Sequence, residues 1–220
     1  MENSKAIVEI VIGEIKNRNV VDDMTNYNVL VENNAFKKEM YRSYYHFDDS
    51  FREHVEETGS VKGYQGACYI DYIHLDIDKG EIDDKSFNPY VMQCLSELLD
   101  KGVMAEDINV WFSGSGYHIK IKNVFGLQPS KELHTKLKLT LEKHFSFGDS
   151  IYDKTRIIRS EWSLNTKTGL YKVFVPMNLL QDYSYNQIKK FASSKTAYNK
   201  WSKKYDGFYD SKFIKDDIQF

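Results

Sequence analysis

Ile73-His74-Leu75-Asp76-Ile77-Asp78 is the stretch from which the rest of the chain is interpreted. Apolar and polar residues alternate, and this period of two predicts a β-strand whose three aliphatic side chains enter a core. Asp76 and Asp78 then share the other face at the strand end, about 7 Å apart along the backbone. Two carboxylates that converge there repel each other by about 1–4 kcal/mol. Mg²⁺ or Mn²⁺, rather than Zn²⁺, is the expected counter-charge, although an edge strand with a solvated acidic face is the alternative.

The length and composition indicate a folded, globular chain. With 220 residues, of which 41% are hydrophobic, 15% aromatic and 28% charged, it can bury a full core as one domain. No apolar run approaches the roughly 18 residues of a membrane span, and the N-terminus lacks the pattern of a signal peptide. We therefore expect a cytoplasmic protein without a membrane partner. Two cysteines, Cys68 and Cys94, are too few for a disulfide framework or a four-cysteine zinc site, so buried thiols are expected.

The net charge of −2 conceals a division along the chain. Residues 1–107 carry 22 acidic and 11 basic side chains, whereas residues 108–220 carry 10 and 19. A basic second half is typical of proteins that bind phosphate or nucleic acid, and the acidic first half contains the aspartate pair. An ordinary solvated surface on both halves is the alternative interpretation.

Local patterns predict the elements around the aspartate strand. The apolar spacing after Ser4 predicts an amphipathic helix that ends before Asn17. The aromatic-rich stretch 36–57 is interpreted as core rather than as a surface on which bases stack. The Asn88-Pro89 pair is expected to start a helix, as N-cap and first-turn proline, and Gly102 to end it.

Residues 109–122 form the second stretch with chemical interest. Two strand-like runs are joined by the turn Ser113-Gly114-Ser115-Gly116. Glycine permits backbone N–H groups to approach a phosphate closely, and His118 could donate to the same phosphate from the strand edge. A plain turn and a surface histidine are the alternative. Ser130 is then expected to cap a helix that ends near Phe145.

The third stretch runs from Gly148 to Gly169. It contains two aspartates, two arginines and a lysine, namely Asp149, Asp153, Arg156, Arg159 and Lys167. The basic groups, together with several hydroxyls, form a potential anion cradle. A structural ion pair is the alternative role for an arginine here.

Residues 186–204 carry six lysines and no acidic residue. The pattern predicts a helical basic patch that contacts nucleic acid or is simply solvated. The lysines are Lys189, Lys190, Lys195, Lys200, Lys203 and Lys204.

In their order along the chain, these stretches resemble the archaeo-eukaryotic primase superfamily, and most closely the primase-polymerases of phages, plasmids and mobile elements. The first motif of that superfamily, Asp-x-Asp at a strand end, is matched by Asp76 and Asp78. The second couples serine and glycine to a histidine, as in residues 113–118, and the third is an aspartate ahead of a basic segment. The resemblance covers about residues 60–176, roughly half of the chain.

The resemblance implies nucleotidyl transfer with two Mg²⁺ or Mn²⁺ ions and no zinc. Asp76 and Asp78 would be catalytic metal ligands together with a third aspartate, either Asp149 or Asp153. The spacing in the family, with the ligand seven or eight residues before the arginine pair, favours Asp149, which lies seven before Arg156.

The remaining site residues implied by the resemblance fall into two groups. Those expected to bind the nucleotide are Ser113, Ser115, Gly116, His118, Arg159 and Lys167. Those expected to bind nucleic acid are Lys189, Lys190, Lys200 and Lys203.

The sequence departs from the family pattern at two points. The second motif is often Ser-x-His, whereas two residues separate Ser115 from His118, which leaves open which serine contacts phosphate. The zinc-binding module that many primases use for initiation is missing, which leaves open whether the chain starts primers or only extends them.

The resulting expectation is an α/β (α+β) fold with an RRM-like antiparallel or mixed catalytic sheet, flanking helices and a smaller α/β unit. A single catalytic domain would span residues 1–220, with a motif core at 60–176 and a basic helical extension at 177–220. Expected partners are a single-stranded or primed DNA template and nucleoside triphosphates. A helicase is a further expected partner, because the chain has no ATPase loop of its own. If the protein is phage-encoded, it acts in the host cytoplasm.

Two functions of other classes remain as alternatives. A glycosyltransferase would use Asp76 and Asp78 to hold Mn²⁺ and a nucleotide sugar, but residues 1–70 lack the expected nucleotide-binding βα repeat. A non-catalytic RRM-like domain would hold single strands by stacking on a basic sheet.

Overall fold

The computed structural model describes residues 6–149 and 151–203. Within them the chain forms ten β-strands and six α-helices, which confirms the predicted α+β class. In chain order the elements are β1 (Ile7–Ile12), β2 (Val20–Asp23), α1 (Met24–Asn34), β3 (Met40–Ser43), α2 (Asp49–Thr58), β4 (Tyr72–Ile77), α3 (Phe87–Asp100), β5 (Ile108–Phe112), β6 (Tyr117–Lys122), α4 (Leu133–His144), β7 (Ile157–Arg159), β8 (Leu164–Asn165), β9 (Leu170–Tyr171), β10 (Val173–Phe174), α5 (Tyr185–Phe191) and α6 (Lys195–Ser202).

Two four-stranded antiparallel sheets organise these elements. The first has the strand order β2-β1-β3-β7, and the second has the order β10-β5-β6-β4. β8 and β9 form a separate short hairpin. The second sheet carries both the aspartate strand and the serine-glycine turn, so the sheet itself brings the first two sequence motifs together.

The aspartate strand, β4, has the predicted alternation. Ile73, Leu75 and Ile77 are each at most 3% exposed and belong to the main core. The opposite face of β4 is directed toward the first sheet, because the ring of His74 packs against the ring of Tyr44, which directly follows β3, with centroids 5.1 Å apart. Asp76 therefore lies between the two sheets rather than in the helical layer.

The predicted N-terminal helix is wrong: this segment is β1, an inner strand of the first sheet. Five of its six residues are aliphatic and mostly β-branched, and residues 7, 8, 10 and 11 are almost fully buried. Such a run satisfies helical spacing and a strand buried on both faces equally well, and β-branched residues favour the strand. Glu9 is also fully buried, where it accepts from the guanidinium of Arg18.

The helix predicted after Asn88 exists, but it begins earlier. α3 starts at Phe87, so Asn88 lies inside its first turn instead of capping it. The buried Asn88 side chain accepts from the Tyr117 hydroxyl at 2.7 Å and donates to the Tyr183 carbonyl at 2.7 Å. Asn88 therefore ties the start of α3 to β6 and to the segment before α5. Gly102 follows the helix with a φ of +88°, as a terminating glycine does.

Most of the other local predictions are confirmed. Residues 109–122 form the β5–β6 hairpin, and α4 ends at His144, next to the predicted end at Phe145. The cap predicted at Ser130 is wrong, because α4 begins at Leu133 with Glu132 at its N-cap and without a side-chain capping hydrogen bond. The aromatic stretch is core, with Tyr44, Tyr45, Phe47 and Phe51 nearly inaccessible to solvent. Both cysteines are buried free thiols.

The lysine-rich region is helical, as predicted, but it is part of the main core. α5 and α6 bury Tyr185, Ile188, Tyr198 and Trp201 in that core. The remainder of the predicted extension, residues 204–220, lies outside the described residues. Among the residues that the structure describes, none of the helices combines the length and the hydrophobicity needed to cross a bilayer.

Candidate functional site

A cleft of about 550 Å³ opens between the two sheets, on the face of β4 that carries Asp76. Its walls collect residues from all three sequence motifs. The predicted site residues that line it are Asp76, Asp78, Ser113, Ser115, His118, Arg159 and Lys167. The sequence analysis did not select the lining residues Arg18, Tyr41 and Asn165, and it included Arg156 in the potential anion cradle without naming it as a nucleotide-binding residue.

Three aspartates meet at one end of this cleft, where Asp76 and Asp78 line it and Asp149 lies beside them without belonging to the lining. The backbone N–H of Asp149 donates to the carbonyl of Asp76 at 2.8 Å, which holds the chain after α4 against the free edge of β4. The carboxyl groups of Asp78 and Asp149 lie within hydrogen-bonding distance of each other. Burial raises the pKa of Asp76 to about 7, and repulsion from Asp78 and then Asp149 adds to the shift. Burial and the nearby Asp149 also raise the pKa of Asp78.

The geometry separates the two candidates for the third aspartate. Gly148 turns the chain with a φ of +86°, and a Cβ added there would lie 3.5 Å from the carbonyl oxygen of Asp76. Asp149 follows directly and is thereby placed beside the pair. Asp153, unlike Asp149, lines the cleft, but its backbone carbonyl accepts from the N–H of Arg156 in a turn. The structure therefore groups Asp149 with Asp76 and Asp78, while its role as a ligand stays a prediction.

The donor set fits a hard divalent cation. Oδ1 of Asp76 is buried and has no hydrogen-bond partner, and burial together with the neighbouring carboxylates raises the pKa values of Asp76 and Asp78, so a cation would relieve the repulsion. In residues 6–149 and 151–203, no three His, Cys, Asp or Glu side chains form a preassembled metal site. Binding an ion therefore requires the side chains of Asp76, Asp78 and Asp149 to approach one another further.

The serine-glycine turn, Ser113-Gly114-Ser115-Gly116, closes against the end of β4. A Cβ on Gly116 would lie 2.3 Å from the carbonyl oxygen of Ile77, so only glycine allows this approach. Ser113 is buried, and its Oγ accepts from the Gly116 N–H at 3.1 Å. Ser115 is exposed in the cleft, and its hydroxyl makes no hydrogen bond to any described residue. Ser115 is thus the serine whose hydroxyl is available to a ligand, whereas Ser113 stabilises the turn.

His118 lies opposite Asp76 on the neighbouring strand. Its Nε2 is 3.5 Å from Oδ1 of Asp76, and the ring is only 7% exposed. The expectation that it acts from a strand edge is wrong, because β6 is an inner strand between β5 and β4. Burial, reinforced by the positive charges of Lys172 and Arg159, holds the pKa of His118 well below its usual range. The imidazole is therefore neutral at pH 7 and has one N–H to donate.

Arg156 and Lys167 supply positive charge at the wall of the cleft. Both side chains are exposed at its wall, and neither makes an ion pair or a side-chain hydrogen bond with the described residues. Each nevertheless acts on the aspartates: Arg156 opposes the rise in the pKa of Asp76, and Lys167 opposes that of Asp78. The cleft therefore has an acidic end and a basic wall within electrostatic reach of each other.

Arg159, by contrast, is already engaged. Its guanidinium donates to Oε1 of Glu39 at 2.8 Å, to the Leu164 carbonyl at 2.6 Å and to the Tyr41 hydroxyl at 2.9 Å. Its side chain and that of Glu39 are 12% and 10% exposed. The structural ion pair that the sequence left as an alternative is therefore present, and Arg159 contributes to the cleft mainly through its charge and through the position of Tyr41.

Asn165 and Arg18 hold loops of the cleft together, although no local pattern marks them. The Asn165 side chain donates to the Ser113 carbonyl at 3.3 Å and accepts from the N–H of Lys167 at 3.2 Å. It thus connects the serine-glycine turn to the loop that carries Lys167. Arg18 pairs with the buried Glu9 and donates to the Thr155 carbonyl at 2.7 Å.

Of the predicted nucleic-acid lysines, Lys189 and Lys190 lie on α5, Lys200 lies on α6 and Lys203 directly follows α6. The hydroxyl of Tyr185 donates to the Ser115 carbonyl at 2.7 Å, and Nζ of Lys189 lies 5.4 Å from the centre of the Tyr185 ring. Lys190, Lys200 and Lys203 are exposed. Lys189 is therefore the lysine that the contacts place near the serine-glycine turn.

Comparison with profiles of protein families finds no match to this chain, and comparison with curated proteins finds no significant match.

Proposed function

We propose that the protein is a template-dependent nucleotidyltransferase, a primase or primase-polymerase that makes or extends primers from nucleoside triphosphates. The observation that supports this most is that Asp149 lies beside Asp76 and Asp78, the two aspartates that line one end of a cleft whose wall carries Arg156 and Lys167. A triphosphate substrate would use both parts of the cleft, because its divalent cations bind to carboxylates and its negatively charged phosphates bind to basic side chains.

The topology of the second sheet supports the proposed RRM-like catalytic core. β4, α3, β5, β6 and α4 follow one another as β-α-β-β-α, with β6 between β5 and β4. The chain after α4 returns to β4 through the hydrogen bond from Asp149 to Asp76. This order is that of a split β-α-β unit, in which the final strand adds beside the first.

In the proposed mechanism, the aspartate carboxylates would hold two divalent cations, which supply charge neutralisation at the reacting phosphate and activation of the attacking hydroxyl. Lys167 and Arg156 bind the outer phosphates as point charge and planar fork, respectively. Ser115 and neutral His118 each donate one hydrogen bond to phosphate oxygens. The Gly116 contact keeps the turn against the aspartate strand, so the donors stay at a fixed distance from the acidic end.

The test is an extension assay with purified protein, Mg²⁺ or Mn²⁺, and single-stranded or primed templates, run separately with deoxynucleotides and ribonucleotides. We expect product that depends on both template and cation. Absence of product under every combination would overturn the proposal. Cation-independent nucleic-acid binding without synthesis would favour the non-catalytic RRM-like domain, and preference for nucleotide sugars would favour the glycosyltransferase.

Lys167→Ala is expected to raise the KM for the triphosphate about 10- to 100-fold, with a smaller effect on template affinity. The reason is that Nζ of Lys167 is exposed at the cleft wall, and a charge-assisted phosphate contact contributes about 1.5–3 kcal/mol. Steady-state kinetics at saturating template measure the effect. Lys136→Ala, on the opposite side of the second sheet, is the matched control, and an equal rise in KM there would contradict the assignment.

Replacing Lys189 and Lys190 by glutamine, or Lys200 and Lys203 by glutamine, is expected to weaken template binding at low salt. Each lysine that contacts phosphate contributes roughly one to the slope of log affinity against log salt, so each double variant should flatten the slope by up to about two. Fluorescence anisotropy across a salt series measures this. Lys136→Gln with Lys143→Gln removes the same charge from α4 and should leave the slope unchanged.

A further inference from the structure

A second, apolar groove lies on the other side of the second sheet from the cleft. It has a volume of about 730 Å³ and shares no lining residue with the cleft. One wall is α4 and the other is the loop at 124–130, with Ile73 at the base. Because Ile73 and Asp76 are three residues apart on β4, their side chains lie on opposite faces of the sheet.

The α4 wall contributes a regular apolar floor to the groove. Leu133, Leu137 and Leu141 recur every four residues along it, each at most 7% exposed because it also packs in the main core, whereas Phe125 stands 57% exposed on the facing loop. α4 has 12 residues and is thus about 18 Å long, enough for about three turns of a helix or five to six extended residues.

The surroundings of this groove hold half of the large exposed hydrophobic side chains of the described residues. Of eight such side chains, four belong to the lining or lie within two residues of it: Leu99, Met104, Val124 and Phe125. Leu139 also adjoins the lining in sequence, but the helical period turns it to another face of α4. Such concentration of apolar surface is typical of a binding surface rather than of ordinary solvent exposure.

The charged lining of the groove is basic. Lys101, Lys136 and His144 stand at its rim, and the described lining contains no acidic side chain. A segment that combines aliphatic or aromatic residues with carboxylates therefore matches it in both respects.

We infer that this groove binds residues 213–218 of the same chain, Phe213-Ile214-Lys215-Asp216-Asp217-Ile218. Three apolar residues and two adjacent aspartates match the floor and the basic rim. Residues 204–220 contain seven aromatic or aliphatic residues among 17, which is more apolar side chain than a purely solvated segment ordinarily carries.

The distance is within reach of the connecting residues. Trp201 lies against Tyr183, with ring centroids 6.0 Å apart, and the Tyr183 carbonyl is bound by Asn88 at the start of α3. Lys101, just after the end of α3, lines the groove, so the span is about the length of that helix, roughly 21 Å for its 14 residues. Nine residues, 204–212, extend to about 30 Å. Binding in the groove leaves the catalytic cleft open.

Disulfide trapping in the full chain tests this inference. Thr140→Cys places a thiol in the groove lining and Lys215→Cys places one in the segment, while Cys68 and Cys94 are buried and remain. Thr135→Cys with Lys215→Cys is the matched control, because Thr135 is an exposed α4 residue outside the lining and points about 140° away. With dilute protein and oxidised glutathione, we expect the 140–215 disulfide to form within one chain at least tenfold faster than the 135–215 disulfide.

Adding Phe213→Ser with Ile214→Ser should abolish that preference and increase hydrogen exchange in α4 without changing exchange in β4. Equal rates for the two cysteine pairs, or a disulfide that joins two chains, would overturn the inference. A variant that misfolds is recognised because its β4 amides lose their protection from hydrogen exchange. In that case the inference is tested by hydrogen exchange in α4 of the variant that carries only Phe213→Ser and Ile214→Ser. Neither measurement depends on nucleotide transfer, so the inference and the proposed function fail independently.

Discussion

Asp149→Ala is expected to lower the rate of nucleotide addition about 10³-fold or more, whereas Asp153→Ala should leave turnover close to that of the unmodified chain. Asp149 is hydrogen-bonded through its backbone to Asp76 and lies beside the carboxyl of Asp78. Removing it takes one of three carboxylates from a site that must concentrate divalent cations. Single-turnover extension of a primed template, at saturating nucleotide and cation, measures the chemical step directly.

The Asp153 variant is a stringent control for this prediction. It removes the same charge from the same connecting segment, four residues away, and Asp153 lines the cleft. What distinguishes the two is their effect on the pair, since Asp149 contributes to the raised pKa values of Asp76 and Asp78, whereas Asp153 is not among the groups that shift them. An inactive Asp153 variant beside a nearly normal Asp149 variant would show that the third motif is misassigned.

The parts of the fold that depend on short-range alternation could be predicted from the sequence. β4 has apolar and polar residues in strict succession, and the β5–β6 hairpin has two such runs around a glycine-rich turn, so both elements carry their own signal. β1 could not be distinguished in the same way, because it is buried on both faces and its apolar run has no clear period.

Whether a side chain is available to a ligand depends on its contacts with residues distant in sequence. No local sequence pattern indicates these contacts. The sequence predicted Arg159 as a phosphate ligand, but in the fold its guanidinium donates to the carboxylate of Glu39, which lies 120 residues earlier. Arg156 and Lys167 carry the same positive charge, yet they remain available because neither forms an ion pair within residues 6–149 and 151–203. Asn165 connects two loops through hydrogen bonds across 52 residues, which no spacing rule would detect.

The same distinction applies to the serines of the turn. Both belong to one Ser-Gly-Ser-Gly repeat, so the sequence could not rank them. The fold ranks them, because Ser113 turns inward to accept from Gly116 while Ser115 faces the cleft.

Asp76→Asn is expected to stabilise the cation-free protein above pH 7, by up to about 4 kcal/mol, and to have little effect near pH 4. The pKa of Asp76 is raised from 3.8 to about 7 by burial and by the neighbouring aspartates. A carboxyl whose folded pKa is raised favours the folded state while it is protonated. Its contribution is therefore fully present below about pH 4 and is lost as the pH rises through about 7. A pKa that is about three higher in the folded state corresponds to about 4 kcal/mol of unfolding free energy. Asparagine cannot ionise, so the variant does not lose this stability as the pH rises.

Urea unfolding at pH 4, 6 and 8 in the presence of a chelator measures the effect as a difference in unfolding free energy between the two proteins. The difference should grow with pH, because the unmodified chain must ionise a buried carboxyl next to Asp78 and Asp149. Addition of Mg²⁺ or Mn²⁺ at pH 8 should reverse the ranking, since the cation supplies the missing counter-charge only where Asp76 is intact. Asp153→Asn, which removes a carboxyl that does not shift the pKa of Asp76, should show neither trend. An Asp76 variant that is less stable than the parent at pH 8 without cation would mean that the carboxylates are already balanced by positive charge in the protein, with Arg156 and Lys172 the nearest candidates.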